Sequence, residues 1–275
     1  VPELPEVEYA ARVARAATIG KAITGVRVLH RAQRRALPER VARTVAGDVV
    51  QAVDRRGKHQ LVRLASGRTL HVHFRMTGDW RVLRHGDPLP GTVRVAIDFD
   101  DGTCLALDDA RALAVVSVHD AGVDPCADLG PEADAAGFNA TWLAACLASR
   151  RLPIKVALLD QRLVAGIGNI YASEALWYAR IDPRLPAHRL TRTPRGGSRT
   201  PLLAIAAGVK RAMRKALAHP ERYYAPDGVS DAVRFNVYDR EGRSCRRCRT
   251  PIARITQAAR STYFCPTCQA SPPRP

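Results

Sequence analysis

Cys245–Cys268 reads CRRCRTPIARITQAARSTYFCPTC and holds four of the chain's seven cysteines. Two Cys-x2-Cys pairs, sixteen residues apart, put four thiolates in two tight turns. That spacing closes a tetrahedral shell around Zn²⁺. The residues between the pairs suit a β-hairpin. Four thiolates leave no open coordination position, so one structural zinc is expected, held by Cys245, Cys248, Cys265 and Cys268. The ion holds the hairpin, and the hairpin presents Arg247, Arg249, Arg254 and Arg260, which suits a phosphate backbone. Nothing else in the sequence resembles a redox or iron–sulfur site. Cys104, Cys126 and Cys146 are scattered, and the odd total argues against a disulfide framework.

Upstream, Leu158–Leu176 reads LLDQRLVAGIGNIYASEAL. A helix ending near Leu163, a Gly166-Ile-Gly168 turn and a second helix capped by Asn169 are expected. Such a hairpin aims backbone N–H groups at an anion, although an ordinary helical hairpin has the same pattern. Charge favours the anion. The chain has 275 residues and a net charge of +17. Residues 1–140 hold 19 basic and 18 acidic side chains, whereas 141–275 hold 24 and 8. Codon bias toward Arg, which outnumbers Lys 38 to 5, would not concentrate the excess in one half. A polyanion partner accounts for it, nucleic acid before membrane.

The first half reads differently. Glu3–Ala17 has apolar residues at helical spacing. Short β-branched runs follow at Ile23–Leu29, Val49–Val53, His59–Leu64, Thr69–His73, Val93–Phe99, Thr103–Leu107 and Ala114–Val118. Gly and Asp turns separate them, an antiparallel sandwich or barrel pattern. From Asn139 the pattern is helical, with candidates at Thr141–Ala148, Pro153–Leu159, Ile170–Tyr178 and Leu202–Leu217. An α+β multidomain chain is expected: a β-sandwich over 1–132, a helical domain over 133–235, a zinc β-ribbon over 236–270 and a disordered tail over 271–275. Thr191–Pro201 reads as a mobile linker. No stretch approaches the ~18 apolar residues of a membrane helix, and the acidic N-terminus is no secretion signal. A soluble, intracellular protein is expected.

The chain opens Val1-Pro-Glu-Leu-Pro-Glu-Val-Glu8. Val1 is read as a GTG start codon translated literally, with the mature chain beginning at Pro2. A secondary amine at the positive end of a helix has a lowered pKa. It can attack a sugar's anomeric carbon and form an imine, with Glu3 beside it to move protons. A plain helix entry fits the same residues.

PELPEVE at the N-terminus, RRGK at 55–58, LVAGIGNIYASEAL at 163–176 and the cysteine quartet with its Ala259-Arg260-Ser-Thr resemble, in colinear order, the formamidopyrimidine-DNA glycosylase family, which includes endonuclease VIII. The resemblance runs from residue 2 to about 269. It implies a β-sandwich flanked by helices, a helix–two-turn–helix region and a zinc ribbon, with DNA in the cleft between the halves. It implies a bifunctional base-excision-repair enzyme. Pro2 attacks C1′ and expels the base, Glu3 is general acid and base, and Lys58 takes part in base release and elimination. Arg260 grips phosphate and is tied to δ-elimination. Asn169, Lys155 and Arg150 or Arg151 match phosphate-contact positions; Glu6 and Glu174 match site-organising carboxylates.

Such enzymes act on an extruded nucleotide, so side chains must fill the duplex. By resemblance Met76 intercalates and Arg111 faces the orphaned base. Leu113 stands where the family often has Phe, and Thr92 where it often has His. The loop over the damaged base is expected within Tyr223–Arg234. Oxidised purines such as 8-oxoguanine and formamidopyrimidines are the expected substrates, in damaged double-stranded DNA. An endonuclease VIII-like preference for oxidised pyrimidines is the alternative. A non-catalytic damaged-DNA-binding protein would follow if Val1 remained in place. A monomer in the bacterial cytoplasm, associated with the nucleoid, is expected.

Overall fold

The structure, a computed structural model, describes residues 2–191, 200–222 and 235–270. Most of the expected linker, the loop expected within Tyr223–Arg234 and the tail 271–275 lie outside these. The chain divides into two compact units, Val1–Ala127 and Asp128–Pro275. No helix among the described residues is long and apolar enough to cross a membrane.

In the first unit, α1 (Leu4–Thr18) buries Leu4, Val7, Ala10, Ala11 and Ala14, the stripe that spacing of three and four predicts. Strands β1 (Ile23–Val28) and, after a one-turn α2 (Glu39–Ala42), β2 (Val50–Arg56), β3 (His59–Leu64), β4 (Thr69–His73), β5 (Asp79–Arg84), β6 (Val93–Phe99), β7 (Thr103–Asp108) and β8 (Val115–His119) follow. They form two antiparallel four-stranded sheets, ordered β1-β6-β7-β5 and β2-β3-β4-β8. Ile23, Val95, Ile97 and Leu105 from one sheet and Val53, Val62, Leu70, Val72 and Val116 from the other belong to one core, which α1 joins through Ala10, Ala11 and Ala14. This is the expected sandwich.

Strand β5 was not expected. DWRVLR buries only Trp80, so its pattern carries little apolar signal; pairing with β7 from Asp79↔Asp108 to Arg84↔Thr103 makes it a strand. Gly57, at φ 59°, shapes the two-residue β2–β3 turn, where a side chain would be strained.

The second unit holds α3 (Ala140–Leu147), α4 (Ile154–Ala157), α5 (Asn169–Ala179), α6 (Pro201–Leu217) and a hairpin of β9 (Ala253–Gln257) and β10 (Arg260–Phe264). Asn139 caps α3 by accepting from the Trp142 N–H at 2.9 Å. Helices α5 and α6 cross closely at Gly208, where a Cβ would fall 2.4 Å from the Ala175 carbonyl oxygen. The architecture is thus α+β.

Candidate active site and nucleic-acid interface

The candidate residues of the first unit lie at backbone ends fixed by local hydrogen bonds. Glu3 is the N-cap of α1 and forms a capping box with Glu6; the Glu6 carboxylate accepts the Glu3 N–H at 2.9 Å. Both carboxyl side chains are buried, and Pro2 before them is half-buried. Pro2 therefore sits at the positive pole of a fifteen-residue helix, held by a short-range device. Glu8 ties α1 to β2 by accepting from Arg55 Nε at 3.0 Å, while Arg15 Nε donates to the Val53 carbonyl at 2.9 Å. Lys58, half-buried, occupies the β2–β3 turn beside Gly57.

Met76, Arg111 and Leu113 are brought to one edge by a residue the sequence reading missed. Asp109 is fully buried. Its carboxylate accepts from the N–H groups of Arg111 at 3.2 Å, Leu113 at 2.6 Å and Ala114 at 2.7 Å, and from the Thr77 hydroxyl. The Arg111 N–H also reaches Thr77 Oγ1 at 3.3 Å. One carboxylate thus joins the turn carrying Met76 to the loop carrying Arg111 and Leu113. Arg94 Nε braces the loop from below, donating to the Asp109 carbonyl at 2.7 Å. Met76 is half-buried, Arg111 exposed and Leu113 44% exposed, an apolar side chain standing in solvent. An Asp just before a loop that must turn back on itself was the available signal. Thr92 accepts the Asp109 N–H on its carbonyl at 2.9 Å.

In the second unit, Lys155, Asn169 and the hairpin meet. Asn169 Oδ1 accepts from Lys155 Nζ, and its Nδ2 donates to the Ser261 carbonyl at 2.9 Å, next to Arg260. Two expectations change. The N-cap of α5 is Gly168, with no side-chain cap bond, and Asn169 is the first helical residue. Its side chain reaches sideways to α4 and β10. Lys155 is completely buried, so it supports Asn169 rather than standing in solvent as a phosphate contact.

Arg150 is half-buried and bonded to Asp160 at 2.7 Å, whereas Arg151 is exposed. Arg260 is exposed where β10 begins, after a turn in which Ala258 and Ala259 both have positive φ. Of the other hairpin arginines, Arg247 is not presented. It lies 4.0 Å over the Trp177 ring and donates to the Trp177 carbonyl, packing the ribbon on α5. Arg254 is engaged by Ser261 at 3.0 Å and Glu241 at 3.5 Å.

Glu174 organises the entry to the ribbon. Its buried carboxylate accepts from the N–H groups of Asn236 and Val237 at 2.8 Å and Tyr238 at 3.1 Å, and from Asn236 Nδ2 at 2.7 Å. Asn236 was not singled out from sequence; without the fold, nothing connects it to Glu174.

The ligand atoms of Cys245, Cys248, Cys265 and Cys268 all lie within 4.8 Å of one another. The Arg247 N–H points to Cys245 Sγ at 3.4 Å and the Cys268 N–H to Cys265 Sγ at 3.3 Å. The tetrahedral edge for Zn–S bonds of ~2.3 Å is about 3.8 Å, so the quartet fits one zinc with its sulfurs already turned inward. The ion is structural.

Comparisons with known proteins agree along the chain. Residues 1–116 match the formamidopyrimidine-DNA glycosylase N-terminal domain family, 129–220 the formamidopyrimidine-DNA glycosylase H2TH domain, and 244–270 a zinc finger found in FPG and IleRS. The formamidopyrimidine-DNA glycosylase of Chloroflexus aurantiacus is 39% identical, with all of both chains covered. That of Geobacter sulfurreducens is 36% identical, over 98% of this chain and all of the relative. The Lactococcus lactis protein non-covalently bound to DNA containing an AP site is similar at TM-score 0.84 and 25% identity, over 98% of this chain and 100% of that one. MutM in complex with DNA containing carbocyclic 8-oxo-G is similar at TM-score 0.85 and 26% identity, with the same coverage.

Proposed function

Because the chain belongs to the formamidopyrimidine-DNA glycosylase family, we propose that it removes oxidised purines from double-stranded DNA and then cuts the strand at the abasic site. The observation that carries this reading is the N-terminus of α1, where Pro2 precedes the buried, capped pair Glu3 and Glu6. In a mature chain beginning at Pro2, the amine nitrogen attacks C1′ of the damaged nucleotide. The bond from C1′ to the base breaks, the base departs with a proton, and the sugar ring opens to an iminium. Glu3 moves the protons, with Lys58 on the neighbouring turn assisting base release. β-Elimination breaks the 3′ C–O bond and δ-elimination the 5′ one, and water frees Pro2. Asn169 and Arg260 contact phosphates, while Met76, Arg111 and Leu113 fill the duplex vacated by the extruded nucleotide. The enzyme acts as a monomer on nucleoid DNA in the bacterial cytoplasm.

Borohydride trapping tests the assignment. With an 8-oxoguanine:cytosine duplex, reduction fixes the imine, and peptide mapping should place the adduct on Pro2. Pro2→Gly should lose most of the trapping. Glu3→Gln should lower turnover by about 10²–10⁴-fold, the range of a positioned acid–base group, while leaving DNA affinity nearly unchanged. An adduct on Lys58 would overturn the nucleophile. Leu113 in place of an aromatic favours a second reading, a preference for oxidised pyrimidines; a panel of single-lesion duplexes decides between them by kcat/KM.

A further inference from the structure

The outer face of the β2-β3-β4-β8 sheet carries a cluster that the proposed glycosylase does not use. His59 pairs with His73, His71 with Ser117 and Thr69 with His119 across three strands. Strand alternation puts these side chains opposite Val62, Val72 and Val116, which face the core. His59 Nδ1 and His71 Nε2 are 2.7 Å apart, their rings stacked at 4.9 Å between centroids. Cys126 comes down onto them from the segment after β8; it is buried and in no disulfide. Ligand atoms of His59, His71 and Cys126 lie within 4.8 Å of one another.

We propose that His59, His71 and Cys126 form a second metal site, for Zn²⁺ or a similar borderline transition-metal ion, distinct from the cysteine quartet. Two imidazole nitrogens and a thiolate are a set that zinc prefers over hard cations. Bonds of ~2.1 Å to nitrogen put tetrahedral ligand atoms about 3.4 Å apart. The two imidazoles therefore need separate by less than an ångström, exchanging their mutual hydrogen bond for two metal bonds.

The surroundings supply the outer contacts such a site needs. Ser117 Oγ lies 3.4 Å from His71 Nδ1 and 2.9 Å from His119 Nε2. With the His71 proton on Nδ1, toward Ser117, Nε2 carries the lone pair. His59 then binds through Nδ1 with its proton on Nε2. The Asp124 carboxylate accepts the Cys126 N–H at 2.9 Å and fixes the thiol-bearing turn. Binding releases the thiol proton, and the thiolate leaves the site at net +1, which nearby Asp124 moderates. Water completes the shell. The ion ties the segment leaving the first unit to β3 and β4, one residue from Lys58, so occupancy stiffens the turn that carries that lysine.

The test uses the full chain with its quartet zinc in place. Metal analysis after incubation with Zn²⁺ and desalting should find a second ion per chain. His71→Gln and Cys126→Ser should each lose one ion while keeping the quartet zinc. Co²⁺ added to protein that holds only its quartet zinc should give a thiolate-to-cobalt charge-transfer band with no release of zinc, and Cys126→Ser should abolish the band. The wild-type measurements decide even where a variant folds poorly. A single ion per chain in excess Zn²⁺ with no cobalt band overturns the site, as does a second ion kept by both variants.

Discussion

The two units differ in how many acids they set against their cations. In the first, residues 1–127 hold 15 acids for 19 bases, and several cations are answered within the fold: Arg27 by Asp98 at 2.7 Å, Arg55 by Glu8 at 3.0 Å, Lys21 by Asp101 at 2.7 Å and Arg63 by Asp54 at 3.2 Å. In the second, residues 128–275 have 11 acids for 24 bases. Asp160, Asp182 and Glu241 take Arg150, Arg184 and Arg254, while Arg151, Arg249 and Arg260 stand exposed. Exposed ion pairs add little stability. Their effect here is on the field: the first unit carries a net charge of +4 and the second +13, the larger positive potential that draws a polyanion. In the proposed function, chemistry and grip are thus divided by acid supply rather than by the number of cations. Both units shape their working surfaces with a buried carboxylate collecting backbone N–H groups, Asp109 in one and Glu174 in the other.

The largest expected break in the comparison comes from the metal. Zinc supplies folding free energy to a small ribbon, an apparent binding free energy of ~10–16 kcal/mol in isolated fingers. Cys265→Ser should unfold the hairpin and release Arg260, with loss of DNA binding. The circular-dichroism melt of the β-sandwich should persist. Joint melting of both units would show that the division is not energetic.

Next come the two buried carboxylates. Glu174→Ala strands three backbone N–H groups and should cost more than about 3 kcal/mol, read by denaturant unfolding. Glu174→Gln should recover part of the loss. Asp109→Ala should cost a similar amount but register in the first unit, and it should lower turnover by loosening Met76, Arg111 and Leu113 together. Equal effects of Asp109→Ala and Leu113→Ala on turnover would mean that the loop needs no common anchor.

A smaller effect separates grip from lesion reading. Affinity should fall with salt on a log–log slope of about −0.9 per neutralised phosphate. Arg260→Ala should reduce that slope by about one contact and weaken damaged and undamaged duplexes alike. Met76→Ala should leave the slope unchanged and slow base release, more for a stably paired lesion than for an abasic site. Equal losses on both substrates would remove Met76 from the role of filling the void.

What the sequence disclosed follows from the range of the interactions involved. The zinc quartet is legible because cysteine spacing alone defines the turns. The strands from His59–Leu64 to Thr103–Asp108 are legible where apolar runs face the core, and β5 is not, because only Trp80 of its six residues is buried. Asp109, Asn236 and the burial of Lys155 were not legible. Each depends in part on a partner supplied by a distant segment: the Thr77 hydroxyl for Asp109, the Glu174 carboxylate for Asn236, and Asn169 on another helix for Lys155. The side-chain contact of His59 with His71 needs strand register, which composition does not reveal. Asn169 was recognised as important but expected as a cap; the chain turns one residue earlier, at Gly168.

The smallest expected effect sharpens the contrast within the first unit. Asp109 and Asp79 are both aspartates withdrawn from solvent at strand ends. Asp109 is surrounded by donors, whereas the carboxylate of Asp79 accepts from the Trp80 N–H at 2.5 Å. Burial pushes the Asp79 carboxyl up to about 7, and the neighbouring Asp108 adds to the shift; Arg81, which would oppose it, is bonded to Asp108. The sign follows from linkage. An unfolded Asp releases its proton near 3.9, but the folded one keeps it to about 7. Between these values the folded state holds a proton that the unfolded state lacks, so stability is full below pH 4 and is lost as pH rises through 7. Asp79→Asn keeps an acceptor for the Trp80 N–H and removes the titration. At pH 8 it should stabilise the first unit by about 1–2 kcal/mol, below the ~4 kcal/mol of the full shift because the fold relaxes around the charge. At pH 4 it should change little. Thermal melts at the two pH values measure the difference, and an equal change at both would mean that Asp79 is ionised in the folded state with its charge already met.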